Sequence, residues 1–148
     1  MEQPLINRVA NSGLITIKLE EFFPPQEVIH FDLKDYLFME MILKEKDFRA
    51  ALKAHDWAQY TGKVLLVYCS TDAIIPVWAY MLVAAAAAPF AHDVFQGPAD
   101  DYYRSYFMRR LDSLDTEQYR DQRLVIKGCS DHPVPPAASL EITRKPQP

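Results

Sequence analysis

The sequence predicts an α/β fold, a three-layer domain built on a short parallel sheet. Three observations lead there. From Val64 onward, apolar strand-like runs alternate with helix-like segments in the order β-α-β-α-β-α, which implies a parallel sheet with right-handed crossovers. Val64–Tyr68 is apolar without interruption, as expected of a strand covered on both faces. The chain has 148 residues, of which 49% are hydrophobic, with a mean hydropathy of −0.16, enough for one soluble domain with a sizeable core. Residues 1–62 then read as an N-terminal extension of strands and a helix at one edge. Residues 63–148 read as the parallel β-α core.

Each element has a local reason. In Gly13–Leu19, Ile15, Ile17 and Leu19 alternate with Thr16 and Lys18, the period of a half-buried strand. Phe22-Phe23-Pro24-Pro25 is a turn. Val28–Leu33 alternates again, with Ile29, Phe31 and Leu33 against His30 and Asp32. Tyr36–Leu43 is apolar except for Glu40 and fits either a strand or a buried helix. Lys44–His55 places Phe48, Ala51, Leu52 and His55 on one helical face and charges on the other. Asp56–Gly62 is a polar, aromatic connection holding Trp57 and Tyr60.

After Val64–Tyr68, Ser70 or Thr71 is positioned to cap a helix with Pro76 in its first turn. That helix runs through Trp78, Met81 and Leu82 into Ala84–Ala88 and stops at Pro89. The consecutive alanines suit close approach of a helix to a sheet. His92–Gln96 is a short strand. Gly97-Pro98 opens a helix with Asp100 and Asp101 in its first turn, where the helix dipole favours them. Its buried stripe is Tyr103, Phe107, Leu111 and Leu114. Arg123–Lys127 is the last strand, and Ala137–Lys145 reads as a closing helix.

Composition excludes several functions. The net charge of −4 and pI near 5.5, with no Lys/Arg stripe, argue against nucleic acid as a partner. With four glycines and no GxGxxG or GxxxxGK[ST] pattern, no nucleotide cofactor is expected. Ile74–Ala91 is the longest apolar stretch, but its prolines and alanines make a buried helix a better reading than a membrane span. The segment Met1–Arg8 lacks the apolar core of a secretory signal. A cytoplasmic protein with reduced thiols is expected.

A short pattern occurs twice. Val64–Tyr68 leads into Cys69-Ser70-Thr71-Asp72, and Leu124–Gly128 leads into Cys129-Ser130-Asp131-His132. In each copy a proline, Pro76 or Pro136, follows the cysteine at the same distance, and these are the chain's two cysteines. Ligands of parallel α/β sheets bind at the carboxyl ends of strands. The usual small arrangement makes Val64–Tyr68 and Arg123–Lys127 parallel neighbours, about 4.8 Å apart, so the two thiols would meet.

Further motifs carry a family resemblance: Asn7–Ile15, Leu43-Lys44-Glu45-Lys46-Asp47-Phe48-Arg49, His55-Asp56-Trp57, Asp72–Pro76, Trp78-Ala79-Tyr80-Met81 and Lys127-Gly128-Cys129-Ser130. Through them the chain resembles the bacterial domain of unknown function 2480 over nearly its whole length. The resemblance implies a protein encoded beside iron–sulfur cluster assembly genes of the SUF type, and so a protein partner of that kind. It also implies a C-terminal tail, beyond the Lys-Pro-Gln-Pro that ends this sequence, carrying one more cysteine. His132 is not part of the family pattern.

Three readings of the paired cysteines stand side by side. Cys69 and Cys129 can be small buried hydrophobes. They can hold zinc or iron together with His132 and Asp72, since Cys69-x-x-Asp72 and Cys129-x-x-His132 have a ligand-like spacing. Or either can be catalytic, a thiolate nucleophile or persulfide acceptor activated at a helix N-terminus, with His132 as base. The first function expected is a non-enzymatic accessory protein that binds a metal or a partner. The second is a cysteine-dependent enzyme or sulfur carrier. His30, His55 and His92 are scattered and read as ordinary surface or core histidines. The Lys44–Arg49 charge run reads as a solvated helix face, with partner docking as its functional alternative.

Overall fold

The computed structural model describes residues 14–128 and 134–144. The fold is α/β with parallel strands throughout. The strands form separate sheets of two and three strands, and the chain divides into two compact units.

One unit spans Pro25–Tyr102. It holds β2 (Val28–Asp32), α1 (Glu45–Ala54), β3 (Val64–Tyr68), α2 (Val77–Ala87) and β4 (Asp93–Gln96). Strand order is β2-β3-β4, with Val28 opposite Val64, Asp32 opposite Tyr68 and Val67 opposite Gln96. The central strand β3 is the uninterrupted apolar run, and Val64, Leu65, Leu66 and Val67 are all buried. Both crossovers step the same way across the sheet, so right-handed connections place both helices on one face. The core agrees: Phe31, Leu65 and Val67 pack with Phe48 and Leu52 of α1 and with Ala79, Val83 and Ala87 of α2. The alanines at the α2 contact let the helix sit close to the sheet. An aromatic layer supports the same face, with the Phe31 ring stacked on Tyr36 at 5.2 Å and on Trp57 at 5.5 Å.

The other unit is built from the two ends of the chain, up to Pro24 and from Tyr103. Here β1 (Leu14–Lys18) pairs in parallel with β5 (Arg123–Lys127), Leu14 opposite Arg123 and Lys18 opposite Lys127. The helix α3 (Ala99–Asp112) contributes Phe107 and Leu111, and α4 (Pro136–Arg144) contributes Ala138 and Ile142, to a core with Ile17 and Leu19.

Three expectations are corrected. First, β3 and β5 are not neighbours; they lie in different sheets. Second, the N-terminal strands are not one extension: β2 does lie at one edge of the three-stranded sheet, but β1 lies in the other sheet. β1 is the partner of β5, and β2 is the partner of β3. The reason is that β2-α1-β3 is as complete a βαβ unit as any in the second half, with a crossover long enough to return in parallel. Third, Tyr36–Leu43 is neither a strand nor a buried helix. A 3-10 turn covers Leu33–Tyr36, and a tight antiparallel turn follows, closed by a bridge between Phe38 and Ile42.

Candidate functional site

The carboxyl ends of β2, β3 and β4 gather the polar groups of the Pro25–Tyr102 unit. Asp32 ends β2, and its Oδ1 accepts the Lys34 N–H at 3.0 Å, capping the 3-10 turn, and the Ser70 N–H at 3.1 Å. One carboxylate thus staples the exits of two neighbouring strands. Burial pushes the Asp32 pKa up, but hydrogen bonds from the Ser70 hydroxyl and from the Lys34 and Ser70 N–H groups, with the Lys34 charge, outweigh it and hold the carboxyl below its ordinary value. Near the same edge His30 Nδ1 lies 2.9 Å from the Tyr68 hydroxyl, with the rings edge to face.

Cys69 follows β3 and is half-buried. Its Sγ lies 3.1 Å from Thr71 Oγ1, which also accepts the Ala73 N–H at 3.3 Å. The Tyr80 hydroxyl is pushed up by burial, then by Cys69, while a hydrogen bond with Gln96 at the end of β4 pulls it down. Thus Cys69, Thr71, Tyr80 and Gln96 share one corner. The expected capping does not occur: the N-cap of α2 is Pro76, with no side-chain cap. Ser70 and Thr71 instead serve the strand exit, so Cys69 is not at a helix N-terminus.

Asp72 is exposed in the loop after β3. Cys129 and His132 lie outside the described residues. Among the described residues, no group of three or more His, Cys, Asp or Glu side chains converges as a metal site. Since β3 and β5 belong to different sheets, strand adjacency does not bring Cys69 and Cys129 together. The expected adjacency of β3 and β5 is therefore corrected, and Cys129 itself lies outside the described residues. What the fold assembles around Cys69 is a set of hydroxyls, an amide and the Asp32 staple.

Sequence reading missed the apolar side of this edge. Phe38, Met39, Met41 and Ile42, in the connection leaving β2, are all exposed, Met39 by 75%. Ile74, in the connection leaving β3, is 90% exposed, and Val77 and Met81 on the first turns of α2 are also exposed. The Phe38 turn is well defined: the Phe38 N–H donates to the Ile42 carbonyl at 2.7 Å, and the Met41 N–H donates to the Phe38 carbonyl at 3.1 Å. Its central residues Met39 and Glu40 both have positive φ, 53° and 59°, as a type I′ turn requires. Neither is Gly or Asn, so the turn stores strain. Lys44 Nζ sits 3.6 Å over the Phe38 ring. Large exposed apolar patches are where soluble proteins commonly meet partners, and methionine suits adaptable surfaces of that kind. The available signal was the apolar Tyr36–Leu43 run with its adjacent Met39-Glu40-Met41.

His55 Nε2 lies 2.6 Å from the Tyr60 hydroxyl with the rings stacked, and its ring meets Phe31 edge to face. Burial, then Tyr36 and Asp56, push the Tyr60 hydroxyl up. Trp57 donates Nε1–H to the Leu52 carbonyl at 2.8 Å. This cluster ties the end of α1 to the sheet, the ordinary core role expected of His55.

Among the described residues, no helix is long and apolar enough to cross a membrane. The family model described as "Protein of unknown function (DUF2480)" matches residues 3–148. No curated protein and no solved structure matches the chain.

Proposed function

Because this chain belongs to the DUF2480 family, whose description names no activity, we propose from the geometry that it is a non-catalytic accessory protein that docks a protein partner. The docking surface is the carboxyl edge of the β2-β3-β4 sheet. The observation that carries this reading is the run of exposed apolar side chains, Phe38, Met39, Met41, Ile42, Ile74, Val77 and Met81, on the connections leaving β2 and β3. The Asp32 staple supports it by holding the two connections in a fixed relation. The resemblance to proteins encoded beside iron–sulfur assembly genes makes a component of that machinery the first partner to test.

A photo-crosslinking residue placed at Met39 or Ile74 in the intact chain tests this in cells. Adducts with one protein at both positions, lost in Met41→Lys or Val77→Lys, are expected. Adduct yields no higher than at exposed Lys46, outside the patch, overturn it.

A second reading is favoured by the corner of Cys69, Thr71, Tyr80 and Gln96. The half-buried thiol at the end of the central strand supports a reading of thiol or persulfide chemistry, with zinc or iron as an alternative load if Cys129, His132 or Asp72 joins it. Cys69→Ser that leaves crosslinking intact but removes sulfur labelling or bound metal from the purified protein supports this reading.

A further inference from the structure

The helix α2 reads Val-Trp-Ala-Tyr-Met-Leu-Val-Ala-Ala-Ala-Ala and contains no charged side chain. A helix apolar on every side belongs in an interior. Here one side, Ala79, Val83 and Ala87, is buried against the sheet, while Val77, Met81 and Ala85 face solvent. Alongside that outer face runs an open groove of about 370 Å³ between α1 and α2, lined by Leu52, Leu82, Ala85 and Ala86 with Arg49 and Lys53. Every lining side chain is therefore apolar or cationic, on a chain whose net charge is −4. Arg49 and Lys53 are separated by one helical turn, about 6 Å along α1. Arg49 pairs with Glu45 at 3.0 Å, but both side chains are more than half exposed. Such a pair is weak, and the guanidinium retains further donors.

We propose that this groove is the seat of an amphipathic α-helix of the partner protein, its apolar stripe lying along Leu52, Leu82, Ala85 and Ala86 and two carboxylates, one turn apart on its flank, meeting Arg49 and Lys53. The inference rests on the docking reading above, extends that surface from the carboxyl edge along the outer face of α2, and names the partner's chemistry. The charges select the occupant: a helix with a neutral flank offers Arg49 and Lys53 no carboxylate, and one with a basic flank repels them, beside a desolvated apolar surface. Small side chains at Ala85 and Ala86 let the incoming backbone approach closely, as helix pairing requires.

The test uses the full chain and two synthetic peptides of about 16 residues, long enough to form helix, sharing one Leu/Ala stripe and differing in glutamates or lysines at i and i+4 on one flank. By NMR titration, the glutamate peptide is expected to shift the amides of Lys53, Leu82, Ala85 and Ala86. It should bind at least about tenfold tighter than the lysine peptide at low salt, with the preference shrinking as salt rises. Arg49→Glu/Lys53→Glu should invert the preference. Both substitutions are on the exposed face of α1, and the wild-type comparison stands without them. Equal affinity for the two peptides, no binding, or shifts confined to residues 36–43 overturns the groove assignment. So does broadening of the groove signals by the protein's own concentration, which identifies a second copy as the occupant. Docking itself fails separately, when the Met39 and Ile74 crosslinks are absent. Crosslinks present with no peptide selectivity leave the partner reading standing and remove this one.

Discussion

Replacing Asp32 should loosen the carboxyl edge of the three-stranded sheet in a way that depends on pH. Its Oδ1 takes two backbone N–H groups, Lys34 at 3.0 Å and Ser70 at 3.1 Å. Removing a side-chain cap of this kind costs about 0.5–2 kcal/mol. Both bonds are exposed, so water replaces part of what is lost. Asp32→Ala should therefore destabilise the protein by about 1–1.5 kcal/mol, and Asp32→Asn, which keeps an acceptor oxygen but no charge, by about half that. The pH dependence follows from the lowered carboxyl pKa. Burial raises it, and the Ser70 and Lys34 hydrogen bonds more than compensate. The folded state then holds the proton less tightly than the unfolded chain. The stabilisation is complete above the unfolded value, near pH 4, and disappears as pH falls through the folded value. Urea unfolding monitored at a series of pH values between neutrality and about pH 3 measures this. The gap between wild type and Asp32→Asn should be constant above about pH 5 and close below pH 4. A gap that persists unchanged in acid, or an Asp32→Ala loss under about 0.3 kcal/mol, would refute the staple.

Three further outcomes follow. Replacing the strained turn pair, Met39→Asn with Glu40→Gly, should raise stability by about 1 kcal/mol in the same urea assay, because both positions have positive φ and Asn-Gly is the preferred type I′ pair, while crosslinking from Ile74 falls. Gly97→Ala should cost about 1–3 kcal/mol, since φ is 140° and a Cβ would lie 2.9 Å from the Phe95 ring; a neutral thermal melt contradicts it. Trp57→Phe should lose about 1–3 kcal/mol by removing the Nε1–H bond to the Leu52 carbonyl, and amide exchange should quicken at the end of α1; unchanged exchange there counts against the bond.

Most elements were legible because their physics is local. The alternation in Gly13–Leu19 and Val28–Leu33 gives β1 and β2, and the Phe48/Leu52 face gives α1. The uninterrupted Val64–Tyr68 run marks the one strand, among the described residues, with partners on both sides. Pairing was not legible. The similar exits of β3 and β5 suggest a shared sheet, yet an exit motif specifies only how a strand ends. Which strand lies alongside is decided by crossover length and by the faces left to bury. On those grounds β2, returned by α1, and β4, returned by α2, both reach β3, while β5 finds β1.

The site divides along the same line. Cys69 was visible as a thiol after a strand, but its surroundings come from residues distant in sequence: Gln96 from the end of β4 and Tyr80 from the second turn of α2. No spacing rule links them. The apolar surface is the reverse case, visible in the sequence but assignable to a buried element on pattern alone. Tyr36–Leu43 has the composition of a core segment, and the backbone exposes it by turning at Met39 and Glu40 through a conformation that costs energy without Gly or Asn. Likewise α2 has the composition of a fully buried helix, and a sheet with helices on one face buries only part of it. In both places apolar side chains exceed what the fold can cover. Covering that surface would recover the cost of its exposure, so the proposed docking function gives the strained turn, the bare face of α2 and the cationic wall of α1 a single physical account.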